Sequence, residues 1–287
     1  MNSLSPERIS NMLESMATAS EIKPPINIDA LARSMNLEVT YQNMLCEGSL
    51  EIEDDMYIVR VNAKSNQVRQ RFTIAHEIGH LIVNTLSREE ILNVIRKGFE
   101  RNKMPPFVAR YNDEKLCDFI SAFLLVPPKV AKDFSNWRNF SIERCQRASR
   151  VWQVSISTFL WSVFTVAEHE GGFIWYKITP TQRDPADIEL NYCWSVFPKS
   201  RRIDIPKTVF LHSSTPRRLD YSIIDLKNNE EKFFPRVKFE FNGLSEFRAI
   251  RIKPIGKGRE RRVLFAVYPK EFNPKTISVG NVQQTIL

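Results

Sequence analysis

Apolar positions recur with a helical period through most of residues 1–167. Residues that favour helix starts, such as serine and asparagine, precede most of these runs. Six helices are predicted. The first begins at Pro6 after Ser5, the second covers residues 26–35 with Asn27 as the cap, and the third runs from Ser65 to about residue 84. The fourth spans residues 113–127, the fifth starts after Ser141 and the sixth starts near Ser155.

A period of two instead predicts β-strands in two parts of the chain. The early strands are predicted at residues 37–42, 49–52 and 56–62, with a turn over residues 53–55. After the Glu-His-Glu-Gly-Gly run at 168–172, further strands are predicted at residues 172–178, 192–197, 208–212, 221–226, 236–241, 247–252 and 261–268. We therefore expect an α+β protein, with a mostly helical domain containing a small sheet at 1–167 and a β-rich domain at 168–287.

Composition narrows the class of protein. The chain has 287 residues, of which 43% are hydrophobic and 26% charged, as is typical of globular proteins. No apolar run reaches the roughly 18–20 residues that a membrane span needs, and the first residues do not resemble a secretion signal. Four scattered cysteines without a Cys-x-x-Cys pair favour a reducing compartment. We expect a cytoplasmic protein with no membrane partner.

The strongest chemical motif is the His-Glu-Ile-Gly-His run at residues 76–80. Residues four apart on a helix share a face, so His76 and His80 can direct two imidazole nitrogens at one zinc ion. Glu77 is then placed to act as a general base toward water. A chance match to His-Glu-x-x-His is the alternative, and it is disfavoured because half of the four histidines fall within the motif.

A catalytic zinc site normally has three protein ligands, so one more is needed. His169 and His212 fall at the predicted linker and in the basic C-terminal part, which favours a carboxylate instead. Glu114 is the best candidate because it stands near the start of a predicted helix. Asp118, one turn later, can accept a hydrogen bond from the outer nitrogen of a histidine ligand.

Four stretches together resemble the ImmA/IrrE (DUF955) family of bacterial zinc metallopeptidases, whose fold is zincin-like. They lie at residues 24–39, 61–83, 114–128 and 147–159, in the family's order and with similar spacing. The resemblance implies Zn²⁺ as cofactor, with His76, His80 and Glu114 as ligands and Glu77 as the catalytic residue. It also implies that the substrate is a helix-turn-helix repressor whose cleavage switches on stress-response, mobile-element or phage-defence genes. No helix-turn-helix segment is recognised in this chain, so we expect a separate repressor protein.

The implied reaction is zinc-assisted peptide hydrolysis, with Glu77 taking a proton from the attacking water and giving it to the leaving amine. Many such enzymes hold the substrate along a sheet edge, and the predicted strand at 56–62 is our candidate. For the residue that stabilises the oxyanion, the sequence leaves three candidates open: Tyr111, Arg110 and Tyr57.

Cys117 departs from the alanine often found in the family at this position. A thiolate is a strong zinc ligand, so one hypothesis is that Cys117 occupies the open coordination position and inhibits the enzyme. The alternative is that Cys117 is a small buried apolar residue.

The C-terminal part carries most of the basic excess, with 21 Lys and Arg against 14 Asp and Glu in residues 168–287. Basic clusters beside aromatic residues are typical of single-stranded nucleic acid binding, so one hypothesis is a sensor domain activated by single-stranded DNA. A sandwich core, a solvated basic surface or a small anionic ligand are the alternatives. The candidate nucleic-acid contacts are Arg201, Arg202, Arg217, Arg218, Arg259, Arg261 and Arg262. For the whole chain, a non-proteolytic zinc- or DNA-binding regulator is the rival to a peptidase.

Overall fold

The computed structural model describes residues 5–18, 22–98, 112–136, 140–166, 172–180, 188–196, 208–211, 232–234, 249–255 and 262–268. The chain divides into two compact units, residues 1–135 with 145–167 and residues 136–144 with 168–287. The second unit thus includes a short segment that the sequence pattern assigned to the first. Within it, the Phe140 ring centroid lies 5.4 Å from that of Phe173, and Glu143 Oε2 lies 3.6 Å from Lys253 Nζ.

Eight helices are present in the described residues, and two of them, α4 and α6, were not predicted. Their bounds are α1 Pro6–Thr18, α2 Ile28–Ser34, α3 Gln67–Thr85, α4 Arg88–Gly98, α5 Asp113–Leu125, α6 Pro128–Phe134, α7 Ile142–Val151 and α8 Ile156–Val166. No helix in the described part of the chain is long and apolar enough to cross a membrane.

The cap of α3 differs from the prediction by one residue. Asn66 is the N-cap, since its side chain accepts a hydrogen bond from the Arg69 amide at 3.0 Å. The predicted cap, Ser65, donates instead to Glu47 Oε2 at 2.6 Å. Either residue type can cap a helix, and the competing partner on Glu47 decides between them.

A three-stranded sheet packs against α3 in the first unit. Its strands are β1 Leu37–Gln42, β2 Gly48–Glu53 and β3 Met56–Asn62, in the order β1-β3-β2. β3 runs parallel to β1 and antiparallel to β2. The proposal that residues 56–62 offer a free edge to the substrate is therefore wrong, because that strand is paired on both sides. Among the described residues, β2 has only β3 as a neighbour and is the strand with a free edge nearest α3.

The core of the first unit forms around α3, whose apolar positions face both the sheet and α5. Ile74, Ile78 and Ile82 of α3 are fully buried, as is Val59 of β3. Burial of such side chains contributes roughly 1.5–3 kcal/mol each relative to exposure. This burial holds the helix that carries the histidine motif rigidly in place.

The second unit contains a six-stranded antiparallel sheet in the order β6-β5-β4-β9-β8-β7. Its strands are β4 Gly172–Pro180, β5 Ile188–Val196, β6 Thr208–Leu211, β7 Lys232–Phe234, β8 Ala249–Ile255 and β9 Arg262–Tyr268. β7 was not predicted, and the predicted strands at 221–226 and 236–241 lie outside the described residues. The mixture of a helical unit with a small sheet and C-terminal strands confirms the predicted α+β class.

Two of the aromatic residues considered for base stacking belong to this sheet's core. Trp175 is 3% exposed and Tyr176 is fully buried, with the Tyr176 ring centroid 5.8 Å from that of Phe265. Buried rings cannot stack on a nucleic acid base, so these two aromatics carry no evidence for nucleic acid binding.

Candidate metal centre

Helices α3 and α5 bring three ligand candidates together. His76 and His80 lie one turn apart on α3, and Glu114 lies in the first turn of α5. Nε2 of His76 is 3.4 Å from Glu114 Oε2, and Nε2 of His80 is 3.7 Å from Glu114 Oε1. In the described part of the chain, these three residues form the one group of histidine, cysteine or acidic side chains close enough to share a metal ion.

The spacing of these atoms fits zinc. Zinc binds nitrogen and oxygen ligands at about 2.0–2.1 Å in tetrahedral geometry, which puts neighbouring ligand atoms roughly 3.3 Å apart. The two nitrogen–oxygen separations are 3.4 and 3.7 Å and end on different oxygens of Glu114, and the ligand atoms of all three residues lie within 4.8 Å of one another, which is compatible with a shared ion. Two nitrogens and one carboxylate also leave one tetrahedral position for water or substrate, as in catalytic rather than structural zinc sites.

Each histidine has a partner on its other ring nitrogen. Nδ1 of His76 is buried and lies 3.0 Å from Asp118 Oδ1, within ion-pair distance although the angles are not those of a hydrogen bond. The Asp118 carboxylate raises the pKa of His76. Such a carboxylate orients the imidazole and leaves Nε2 free to bind the metal. The arrangement is the one proposed from the Glu-x-x-x-Asp spacing.

The position of Cys117 does not support its proposed role as an inhibitory metal ligand. Its Sγ lies 3.5 Å from Nδ1 of His80, and the residue is fully buried. The two nitrogens of an imidazole direct their bonds away from each other, so a sulfur beside Nδ1 lies outside the coordination sphere of a metal held at Nε2. Burial also raises the pKa of the Cys117 thiol to about 12, as expected of a small buried apolar residue.

Glu77 lies beside the ligand cluster but is not part of it. The residue is 8% exposed and lines the same cavity as His76. Burial raises the pKa of the Glu77 carboxyl above its usual range, while His80 and His76 act in the opposite direction. A carboxylate with a raised pKa is a better proton acceptor, which is the property that a general base needs.

Two glycines allow the elements of the site to approach closely. A Cβ on Gly48 of β2 would lie 2.3 Å from Thr73 Cγ2 and 2.8 Å from the Arg60 carbonyl oxygen. A Cβ on Gly79 would lie 3.0 Å from Cys117 Cα. Gly48 therefore brings the edge of β2 against α3, and Gly79 lets α5 cross α3 closely enough to present Glu114. The role of Gly48 was not predicted, because no local sequence pattern relates it to α3.

A cavity of about 660 Å³ opens beside Glu77 in the first unit. Of the three oxyanion candidates, Tyr57 does not line it, and residues 110 and 111 lie outside the described part of the chain. The cavity is lined by Glu47, Gly48, Asn66, Val68, Arg69, Phe72, Thr73, His76, Glu77, Asp118, Leu125, Val154, Ser155, Ser157 and Thr158.

Of the seven arginines that are candidate nucleic-acid contacts, the structure describes one, Arg262. Arg262 is exposed at the start of β9, opposite Lys177 of β4. The other six arginines, at residues 201, 202, 217, 218, 259 and 261, lie outside the described residues.

Comparison with known proteins shows what the part of the chain that carries this site is similar to. Residues 33–160 match the family model described as peptidase M78, IrrE N-terminal-like domain. The radiation response metalloprotease IrrE of Deinococcus radiodurans is 29% identical over 107 residues, which is 37% of this chain and 30% of that protein. The protein of the same name from Deinococcus deserti is 27% identical over 81 residues, covering 28% and 26%. The chain thus spans less than a third of the length of either relative.

A solved structure, that of a Mycobacterium tuberculosis transcriptional regulator, is similar in fold. The TM-score is 0.51 at 12% identity, and the match covers 91% of this chain and 76% of that one. At this identity the likeness concerns the fold alone.

The matched residues include α3, the small sheet and α5. They therefore include the three motif residues His76, Glu77 and His80 and the third candidate ligand, Glu114. Motif, order of elements and family model agree over the same stretch of sequence. Residues 33–160 are thus similar to an IrrE N-terminal-like domain of the peptidase M78 type, which confirms the predicted resemblance to the ImmA/IrrE family.

Proposed function

We propose that this protein is a zinc-dependent endopeptidase. The observation that carries the proposal is the cluster of His76, His80 and Glu114, in which His76 lines the same cavity as the buried Glu77 and as Gly48 of the edge strand β2. A structural zinc site is closed by four protein ligands, whereas this cluster offers three. An acidic group outside the three ligands, Glu77, also lines the cavity that His76 lines.

The chemistry divides between the metal and the chain. Zinc bound to the three ligands supplies Lewis-acid chemistry, since it acidifies water and polarises the carbonyl of a peptide bond. Glu77 accepts the proton of the attacking water and delivers it to the leaving amine. Asp118 holds His76 in the ligating tautomer, and burial raises the pKa of the Glu77 carboxyl, which makes it a better proton acceptor.

The substrate backbone pairs with the free edge of β2. An extended peptide added to a sheet edge is fixed by main-chain hydrogen bonds, and its carbonyl groups are then held at regular spacing. Gly48, at the start of β2, keeps this edge close to Glu77: a Cβ there would lie only 3.7 Å from Oε1. A peptide bond docked along β2 is thereby held next to the proton acceptor.

The proposed substrate is a separate helix-turn-helix repressor, and the proposed activator is single-stranded DNA acting through residues 168–287. The family resemblance supports the repressor. The name of the Deinococcus relatives, radiation response metalloprotease, supports a link to DNA damage. The basic excess of the C-terminal residues supports an anionic activator. Cleavage of the repressor would release stress-response or phage-defence genes.

The test uses the full-length, zinc-loaded protein and the purified helix-turn-helix repressor encoded nearest to its gene. We expect cleavage that a chelator stops and that added zinc restores. Glu77→Gln should bind zinc normally but cleave about 10²–10⁴-fold more slowly, because the amide cannot take up a proton. Glu89→Gln, an exposed residue of α4, is the matched control and should cleave normally.

Two further outcomes are informative. Undiminished cleavage by Glu77→Gln would refute the proposed chemistry. Zinc-dependent binding of the repressor or of DNA without cleavage would instead favour the non-proteolytic regulator. A cleavage rate unchanged by single-stranded DNA, in low and in moderate salt, would rule out the proposed activator while leaving the peptidase assignment intact.

A further inference from the structure

The two histidines of α3 differ in what faces the outer nitrogen of each ring. Nδ1 of His76 faces the carboxylate of Asp118, whereas Nδ1 of His80 lies 3.5 Å from Sγ of Cys117. In the described part of the chain, this sulfur is the one hydrogen-bond partner of His80 Nδ1. The other nitrogen, Nε2, lies 3.7 Å from Glu114 Oε1. The ring of His80 therefore connects a buried thiol to the ligand cluster.

A backbone contact between α3 and α5 fixes the position of the sulfur. Gly79, the residue before His80, lies so close to α5 that a Cβ there would be 3.0 Å from Cys117 Cα and 3.2 Å from Cys117 Cβ. Cys117 is fully buried, and its carbonyl oxygen accepts a hydrogen bond from Ser121 Oγ at 2.6 Å. Because that carbonyl is engaged within α5, the side chain is the part of Cys117 that serves His80.

His80 needs a partner because its ring is only partly enclosed. Its side chain is 29% exposed, and the ring of His76 contacts it edge to face, with centroids 4.8 Å apart and planes at 78°. The torsion that turns an imidazole about its Cβ–Cγ bond has broad wells related by half a turn. Half a turn would put ring carbons where Nδ1 and Nε2 now lie. A hydrogen bond at Nδ1 selects the orientation in which Nε2 faces the cluster.

A metal at Nε2 also determines where the proton of a neutral imidazole lies. Metal binding uses the lone pair of Nε2, so Nδ1 carries the proton and directs it at the sulfur of Cys117. A cysteine sulfur is a weak hydrogen-bond acceptor, whereas His76 has a carboxylate at the same position of its ring. The orientation of His80 therefore has the weaker support of the two.

We propose that Cys117 is a positioning residue for the metal: its sulfur accepts a hydrogen bond from Nδ1 of His80 and holds the ring with Nε2 toward the ligand cluster. The proposal rests on the metal-binding part of the proposed function and is independent of peptide cleavage. Cys117 acts only through His80, because a sulfur beside Nδ1 lies outside the coordination sphere of an ion at Nε2. The thiol thus contributes to metal affinity without binding the metal.

The first measurement is the zinc affinity of the full-length protein, determined by competition with a chelator. Cys117→Ala removes the acceptor and should weaken zinc binding about tenfold. Loss of a partner behind a metal ligand typically costs about 10–100-fold, and the weak acceptor strength of sulfur places this case at the lower end. Cys117→Ser returns a hydroxyl acceptor on a shorter bond and should recover part of the loss.

A matched control separates the hydrogen bond from the packing of a buried thiol. Cys145→Ala removes the other fully buried cysteine, which lies on α7 and outside the ligand cluster. Both alanine variants should unfold at a lower temperature without metal, because each loses buried contacts. Only Cys117→Ala should also show a smaller increase in unfolding temperature when zinc is added, since that increase reports metal affinity.

Two spectroscopic measurements identify the role of the sulfur directly. The chain has four histidines, so labelling their rings with ¹⁵N gives an NMR spectrum that can be assigned with single variants. The zinc-loaded parent should show a His80 Nδ1 proton protected from exchange with water, and this signal should broaden or vanish in Cys117→Ala. The cobalt-substituted parent should lack a thiolate-to-cobalt charge-transfer band. Its visible bands should shift in Cys117→Ala and stay unchanged in Cys145→Ala.

The results that would overturn the proposal are equally specific. They are a zinc affinity of Cys117→Ala equal to that of the parent, an equal loss of affinity in Cys145→Ala, or no recovery in Cys117→Ser together with an unprotected His80 Nδ1 proton in the parent. A charge-transfer band that disappears in Cys117→Ala would show that the sulfur binds the metal itself and would also overturn it. If affinities and spectra follow the expected order but no repressor or peptide is cleaved, the peptidase assignment fails and the role of Cys117 stands. A parent that binds no zinc would refute both.

Discussion

The contact between Gly48 and α3 is the part of the site that a single methyl group should disrupt. In Gly48→Ala, the new Cβ would stand 2.3 Å from Thr73 Cγ2 and 2.8 Å from the Arg60 carbonyl oxygen. Carbon atoms prefer separations of roughly 3.5–4.0 Å, so β2 must move away from α3 by about 1 Å. A displacement of this size at a catalytic site can cost about 100-fold in rate, and overpacking costs about 1–3 kcal/mol of stability.

The metal should be unaffected, because its three ligands lie on α3 and α5 rather than on β2. We therefore expect Gly48→Ala to keep its zinc, as measured by metal analysis, while repressor cleavage falls about 100-fold. Thr73→Ser deletes the methyl group at the closest contact, so the double variant should recover part of the lost rate, and Thr73→Ser alone serves as the control. Full activity of Gly48→Ala, or no recovery in the double variant, would refute the argument that β2 is held against α3 for catalysis.

Three further predictions concern the ligand shell and the cysteines. Asp118→Asn should lower zinc affinity about 10–100-fold in chelator competition, because His76 loses its orienting carboxylate, whereas Asp113→Asn on the same helix should not. Gly79→Ala should also weaken zinc binding, since a Cβ 3.0–3.2 Å from atoms of Cys117 pushes α5 outward; unchanged affinity would contradict the close crossing. In the native protein, a thiol reagent should modify only the exposed cysteines, and rapid reaction of a buried one would show that its environment is more open than described. The exposed cysteines are Cys46 and Cys193.

Features that depend on neighbours in sequence were predicted well. Residues four apart on one helix face each other whatever the surrounding fold, so His76 and His80 could be paired from sequence alone. The strands at 37–42 and 56–62 have the predicted bounds for the same reason, since a period of two is a local signal. The amphipathic α4 contains the same kind of signal, although this helix was not predicted.

Features that depend on contacts across the chain were wrong or missed. Strand order is set by which strands pair, and the sequence pattern of residues 56–62 does not distinguish a central strand from an edge strand. Cys117 could be placed on the correct face of α5, but only the packing of α5 against α3 shows that its sulfur meets Nδ1 of His80 rather than the metal position.

The sequence by itself thus determined the pairing of the candidate metal ligands His76 and His80 with Glu77, because all three lie on one helix and helical geometry relates them directly. The tertiary structure decided which strand edge faces the site and how closely β2 and α5 approach α3. Those distances depend on the packing of side chains from elements far apart in sequence. A glycine such as Gly48 reveals its importance only when the atoms that surround its missing side chain are in place.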